Sequence, residues 1–524
     1  MLRDRILRDD MFRDTISKIK KVILIVVLII SVFLYVCRPF FHGFFMRCYT
    51  NPAFLLAFVA LGAGIMIRLF SDRFKWTIVV GAIFFVALLV GSMFVAEGKR
   101  VEIYKDISSN IIEIDTFPES TSIRLMPYQI ARNNMTNNLT LEQFRLGKLD
   151  FVVLDGEMWW NAALIPDGTW IYYRMKPYGA MFINACETET EIIKIKQDLE
   201  VAEGIGISDN IYWRLYKDID YWSDYSDPFY IPYDNNTKIM TVVSKIDYKL
   251  DSWTFVPLRK PVFGGVVLID GEGNMKYVSP EKIDEEPILH GQQVFPEAIA
   301  RLYGESFAYK RGVWNAWIAH KDQTELNDVP GEGNFMPYLI MVQDENGEPI
   351  PMWFMALEPY GTTYGLKKVL LVDAIDGTVY SWSKGENEQS VGAVKSIEHA
   401  KSSDTFRNVN WADFRLIEPI PIFKEGTMYW KLTMTRYTQT GITNIVLIEA
   451  SNPENVIVFK DGAEFQQFLT EGATDTVEMS MDQLLHEIDV LLQKIKDLPS
   501  DAKSPILVEL EEKLERLLSL LEES

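Results

Sequence analysis

This chain is poor in the residues that carry covalent or metal chemistry. Its 524 residues include only 3 cysteines and 5 histidines. Cys37, Cys48 and Cys186 cannot build a disulfide framework, and no Cys-x-x-Cys pair exists to suggest a zinc ribbon or a thioredoxin-type site. Cys37 and Cys48 flank one end of the first hydrophobic run and could pair, although buried free thiols are the simpler expectation. His42, His290, His320, His399 and His486 show neither His-Glu-x-x-His nor His-x-His spacing. A G-x-S-x-G elbow, a Walker A loop and a dinucleotide fingerprint after a strand are all missing. Asp270-Gly-Glu-Gly-Asn and Asp344-Glu-Asn-Gly-Glu lack the spacing and closing glutamate of a calcium loop, and so read as turns. His320 with Asp322 and Glu325 has metal-ligand chemistry but reads as a surface loop. The sequence therefore nominates no catalytic residue, no metal ligand and no cofactor. Basic residues are also few: 52 Lys and Arg face 73 Asp and Glu, a net charge of −21. Such a chain repels phosphate backbones, so nucleic acid is not an expected partner.

Long apolar runs are present instead, three of them within the first hundred residues. They are Val22 to Cys37, Pro52 to Ile67 and Trp76 to Ala96. The two shorter runs would span about 24 Å as helices, somewhat less than the ~30 Å hydrocarbon core. Arg38 and Arg68 can snorkel, and Phe40, Phe41, Phe44 and Phe45 can sit in the interface. The long polar lead-in and the absence of a small-residue cleavage site disfavour a signal peptide. The reading is three retained transmembrane helices with the bilayer as partner. Arg3, Arg5, Arg8, Arg13, Lys18, Lys20 and Lys21 precede the first run, and Arg68, Arg73 and Lys75 lie between the second and third. The positive-inside rule then puts residues 1–21 in the cytoplasm and everything after Ala96 outside. No charge lies at the centre of a run, which disfavours an ion path. Ala60 and Gly64 have the spacing of a small-residue packing face.

After a polar stretch, Gly98 to Ser120, expected as a stalk or first strand, the exterior reads as repeated antiparallel β units with short helices. This is an α+β arrangement. Phe151-Val-Val-Leu, Asp155-Gly and Met158 to Leu164 form a strand-turn-strand. Related runs begin at Lys238, Tyr338 and Pro419. Trp160, Trp253, Trp353 and Trp430 mark the middle strand, and Asp270, Asp373 or Glu449 ends the next one in the later copies. Helices are expected after Pro127 and over Glu189 to Glu203, Pro296 to Phe307 and Ala393 to Ser402. The units divide as 97–205, 206–290, 291–402 and 403–475. A helical hairpin over 476–524 closes the chain, its leucines at helical spacing.

Leu371-Val-Asp-Ala-Ile-Asp-Gly-Thr-Val, preceded by the helix Ala298 to Phe307, resembles the closing signature of the PepSY module. Leu268 to Val278 resembles it in part. The resemblance implies an extracytoplasmic module linked to protease inhibition or to envelope and metal-uptake proteins, and supplies no catalytic residue. More broadly, the layout is similar to uncharacterised membrane-anchored proteins of prokaryotes.

Contact residues are sought where the copies differ. One such place is the aromatic, acidic insertion with Tyr212, Trp213, Tyr216, Tyr221, Trp222 and Tyr225. The other is Gly312 to Trp317, with Trp314 and Trp317. Asn134, Asn138 and Asn235 open N-glycosylation sequons. The expected function is non-enzymatic: a membrane-anchored envelope protein that binds other envelope proteins or copies of itself. A glycan or peptide hydrolase using the Tyr212–Tyr233 segment and a PepSY-like protease regulator are the alternatives.

Overall fold

Each β unit is an antiparallel meander whose central strands are short, nearly continuous apolar runs buried on both faces, joined by residues that tolerate left-handed backbone. Asp155-Gly156 (φ 51° and 81°) and Glu425-Gly426 (φ 50° and 74°) make two of these hairpin turns. The computed structural model describes residues 25–471 apart from 27, 36, 71–75, 169, 189–190, 207, 252–257, 330–333, 345, 362–364, 384, 386–389 and 438–440. The basic N-terminus, Trp253 and the 476–524 hairpin lie outside the described residues. The chain divides at Gly462 into two units; all that follows except the last helix concerns the first.

The helices are α1 (His42–Thr50), α2 (Pro52–Phe70), α3 (Thr77–Asn110), α4 (Tyr128–Asn137), α5 (Ile211–Arg214), α6 (Glu297–Ser306), α7 (Ala393–Ser402) and α8 (Gly462–Glu471). The strands form four sheets. The linker strands β1 (Ile112–Glu113) and β2 (Ser120–Thr121) come first. Unit one holds β3 (Phe144–Leu146), β4 (Asp150–Leu154), β5 (Glu157–Pro166), β6 (Tyr178–Asn184) and β7 (Ile192–Asp198). Unit two holds β8 (Asp224–Tyr225), β9 (Phe229–Tyr233), β10 (Lys238–Asp251), β11 (Leu258–Ile269) and β12 (Met275–Val278). Unit three holds β13 (Thr324–Leu326), β14 (Tyr338–Gln343), β15 (Pro349–Pro359), β16 (Lys368–Asp373) and β17 (Val379–Ser383). Unit four holds β18 (Phe414–Lys424), β19 (Thr427–Arg436), β20 (Ile442–Glu449) and β21 (Val456–Phe459).

The repeat is more regular than the sequence suggests. In units one to three a helix leads to a short strand, β3, β8 or β13, which pairs with the far half of the long second strand of the meander. In unit four these pieces fuse into β18, with a bulge between Ile417 and Ile420. Unit three lies at the centre. β1 joins its β17 edge in parallel and β2 joins its β14 edge, so the chain leaving α3 adds a strand to both sides.

One closure recurs in three units. The alanine after the third strand of the meander (Ala185, Ala374, Ala450) donates its N–H to Met158, Pro351 or Met428, at 2.9, 3.0 and 2.9 Å. Its carbonyl accepts from the segment leading into the helix: Leu125 and Met126 N (2.7 and 2.9 Å), Phe295 N (2.7 Å) and Val391 N (2.8 Å). The middle-strand tryptophan donates its indole N–H to the carbonyl two residues before the helix. The pairs are Trp160 to Met126 (2.9 Å), Trp353 to Phe295 (3.0 Å) and Trp430 to Val391 (2.8 Å). A buried indole needs such a partner, and the helix entry needs its carbonyl satisfied. In unit two the residue opposite Ile269 is Thr241, where units one, three and four have tryptophan opposite Ile183, Val372 and Ile448. The expected alignment through Trp253 is thereby corrected: β10 is already the second strand of its meander, paired with β9.

Units one, three and four meet around buried charge. Arg124 Nη2 lies 3.2 Å from Glu418 Oε2, and Lys431 Nζ donates to the Arg124 carbonyl at 2.8 Å. Glu418, at φ 50° in the β18 bulge, accepts from Tyr128 N at the start of α4 (2.6 Å). Its own N–H reaches Asn334 Oδ1 in unit three (3.0 Å). The Arg124 guanidinium lies 5.2 Å from the Phe151 ring and 5.4 Å from Trp160. Burial, with Arg124 adding, pulls the Lys431 ammonium down to about 7, and burial raises Glu418.

Other expectations fare differently. Residues 192–198, expected within a helix, form β7: the free edge of β6 supplies hydrogen bonds, and Ile195 is buried. Gly98 to Asn110, expected as stalk or strand, continues α3, burying Ile103 and Ile107. Among the described residues one helix, α3, is long and apolar enough to cross a membrane. The apolar part of α2, Pro52–Ile67, is shorter, and Leu28–Tyr35 meets the helical segment Arg38–Thr50 at 85°. The Ala60/Gly64 face does pack: a Cβ on Gly81 of α3 would sit 3.1 Å from Ala60 O and 3.2 Å from Gly64 Cα. Cys37, Cys48 and Cys186 are free thiols, the last two buried.

Two outcomes are expected. Trp353→Phe leaves the Phe295 carbonyl without its indole donor and should cost roughly 1–3 kcal/mol, seen as faster amide exchange in the first turn of α6. Glu418→Ala leaves two buried cations uncompensated and should cost roughly 3–5 kcal/mol in chemical denaturation of the detergent-solubilised protein.

Candidate functional site

The aromatic insertion 212–225 is built by α5, the π-helical turn Leu215–Ile219 that follows it, and β8. Asn210 caps α5, its side chain accepting from the Tyr212 and Trp213 amides. This fixes a row of rings, and the row is occupied. The His42 ring of α1 stacks on Tyr216, centroids 3.6 Å apart, and meets Tyr221 edge-on at 5.4 Å. Phe40 packs on Trp213 at 5.0 Å and Tyr49 on Trp222 at 4.8 Å. His42 Nε2 donates to the Ser223 carbonyl (3.1 Å), and Tyr221 donates its hydroxyl to the Arg38 carbonyl (3.0 Å). Arg259 of β11 covers the Tyr49 ring at 3.9 Å and donates to its hydroxyl. Tyr212 turns the other way, its hydroxyl donating to Asp227 (3.1 Å). Of the six aromatic residues singled out here, Trp213, Tyr216, Tyr221 and Trp222 contact the chain's own α1 region, and Tyr225 packs beneath Tyr216.

At the distal end of this segment, units one, two and three enclose a polar cleft of about 370 Å³. Lys148 and Asp150, Tyr225 to Phe229, and Gln293 to Arg301 line it. Its cations are engaged. Lys148 holds Asp227 at 2.5 Å, and Arg301 pairs with Asp328 (2.7 Å) and Glu305 (3.0 Å). Asp150 and Glu297 are left with little compensation. Burial, opposed by the Phe151 N–H and reinforced by Glu297, pushes Asp150 up to about 7. Glu297, exposed at the start of α6, lines the same cleft. Gln293 donates its amide to the Phe151 carbonyl, which fixes the amide's orientation and leaves its Oε1 buried without a partner. Aromatic walls come from Phe229, Phe295 and Trp353. Acceptors and negative charge facing rings form an environment that suits a cationic group.

The remaining candidates are dispersed. Trp317 packs against Phe94 of α3 at 4.8 Å, whereas Trp314 points away from the protein. Asn134 lies within α4, Asn138 caps its end, and Asn235 sits exposed at the β9–β10 turn. His320, Asp322 and Glu325 do not converge. His320 stacks on Tyr360 at 3.8 Å, and Asp322 is held by Lys310, Arg311 and Lys367. Among the described residues no group of three or more His, Cys, Asp or Glu side chains is arranged to hold a metal ion. The cleft itself gave no sequence signal, because its residues come from three units and only the folded sheets bring them together. Comparison of the chain with family models, curated proteins and solved structures gives no match.

The raised carboxylates make stability depend on pH with a definite sign. A carboxyl group whose folded pKa lies above its unfolded value stabilises most below that unfolded value, about 4. The contribution is lost as pH rises through the folded value, about 7 for Asp150 and for Glu358, which burial raises similarly. Asp150→Asn should therefore flatten the fall in stability across this window, as read from unfolding midpoints at a series of pH values.

Proposed function

We propose that this chain is a membrane-anchored, extracytoplasmic envelope protein without enzymatic activity. Its repeated exterior binds other envelope components or assembles with copies of itself. The observation that carries the reading is the continuity of α3. Its first twenty residues, through Ala96, are uncharged and suit a bilayer at about 1.5 Å per residue. The next turns, without a break, pack on units two and three. Arg100 pairs with Glu305 at 3.2 Å, Tyr104 meets the Phe307 ring at 5.2 Å, and Asp106 holds Lys260 at 2.5 Å. On this reading the span continues without a break into the helix that packs on the β units. The proposal keeps three crossings, with the N-terminus in the cytoplasm and the part after Ala96 outside, on the strength of the basic flanks.

The cleft beside Asp150 and Glu297 is the binding site we favour, for a ligand or partner presenting an ammonium or guanidinium group. The hydrolase alternative has less support, because α1 covers the aromatic face on which a glycan or peptide would stack. The PepSY likeness, and with it regulation of an envelope protease, remains a proposal resting on Leu371 to Val379. Protease treatment of intact cells expressing the chain should cleave the β units before lysis. Cleavage only after lysis would reverse the topology.

A further inference from the structure

The turn Gly312–Ala319 carries an apolar surface that, apart from the Trp317–Phe94 contact, stands open among the described residues. Trp314 is 73% exposed, Ile318 56% and Trp317 42%. Their spacing puts them on one face of the turn, while Asn315 and Ala316 point inward. The turn is pinned rather than loose. Asn315 donates its amide to the Lys321 carbonyl and accepts from the Lys321 N–H, both at 3.1 Å. Two tryptophans and an isoleucine held outward on a fixed turn are not explained by packing.

Their position identifies what covers them. Trp317 contacts Phe94, three residues before the first charge on α3, Glu97. From Thr77 to Phe94 the helix rises ~26 Å, close to the thickness of a hydrocarbon core. Trp76, 75% exposed, stands at the opposite end of the run. Tryptophans at both ends of an apolar span are the arrangement that bilayer interfaces select. Beside the turn, Lys310, Arg311 and Lys367 surround the single carboxylate of Asp322, at 3.4, 3.4 and 2.7 Å. That leaves local positive charge beside an apolar wedge, which suits lipid phosphates.

We infer that Trp314, Trp317 and Ile318 form a wedge that enters the outer-leaflet interface next to α3, with Lys310, Arg311 and Lys367 among the headgroups. The inference rests on α3 spanning the bilayer. It adds that unit three is itself a lipid-contacting element, so the exterior has a fixed tilt and height above the membrane.

The test places an environment-sensitive fluorophore on single cysteines of the full chain, in a Cys37→Ser, Cys48→Ser, Cys186→Ala background, reconstituted in phosphatidylcholine–phosphatidylglycerol vesicles. The sites are Ile318→Cys, Trp314→Cys, Phe84→Cys in mid-α3 and Tyr437→Cys in unit four. Lipids brominated near the headgroup should cut emission from 318 and 314 about twofold or more and leave 437 unchanged. Deep-brominated lipids should quench 84. Quenching at 84 with 318 and 314 reading as water, or shielded without lipid quenching as by a protein partner, overturns the wedge and leaves the span standing. No quenching at 84 removes the span and the wedge together.

Discussion

The charge cluster of Arg124, Glu418 and Lys431 is the constraint on which the arrangement of the units depends. Taking three ionisable groups out of water is expensive, and the cost is tolerated only where geometry satisfies them together. Glu418 answers Arg124 from a bulge by charge rather than by a hydrogen bond, with left-handed backbone that aims its other oxygen at the start of α4 and its amide at Asn334. Units one and four must therefore close together, because Arg124 comes from one and Glu418 and Lys431 from the other, and unit three adds Asn334 to the same cluster. Flat hydrophobic faces would allow sheets to slide, whereas this cluster admits a single register between them.

The N-terminal helices are tied to the β units by a different chemistry. α3 reaches units two and three through ion pairs as well as the Tyr104–Phe307 and Phe94–Trp317 rings, whereas α1 is held by rings and a few hydrogen bonds. The bend of 85° before α1 turns the chain across the direction of the preceding segment. α1 thus lies against unit two with His42, Met46 and Cys48 buried and Phe44 facing outward. Segments far apart in the chain, 38–49 and 212–225, are each other's cover.

The strands and turns were legible because they are local. A short apolar run such as Tyr338 to Val342 and an Asp-Gly or Glu-Gly pair at a turn carry their own instructions. Misreadings came where a distant partner decided. Ile192 to Lys196 has enough charge and spacing for a helix, but the open edge of β6 makes it a strand. Gly98 to Asn110 looks like a polar stalk until Glu305, Phe307 and Lys260 are placed beside it. Aromatic density at 212–225 was visible from the sequence, but its covering by α1 was not, since nothing in either segment names the other. The cleft is the extreme case: Lys148, Asp227 and Glu297 belong to three units and become neighbours only through the register of the sheets.

The missing tryptophan of unit two has a meaning of its own. Three copies keep the indole that latches helix to sheet and differ mainly in their loops. The fourth has Thr241 at that place, a helix of one turn, and a row of rings turned toward α1. A repeated module that is secured by its neighbours need not hold itself shut, and its surface can serve another contact. In this molecule that unit is the one that grips the hydrophobic segment 38–49. The repeat thus divides its labour: three modules latch themselves, and one acts as a bracket.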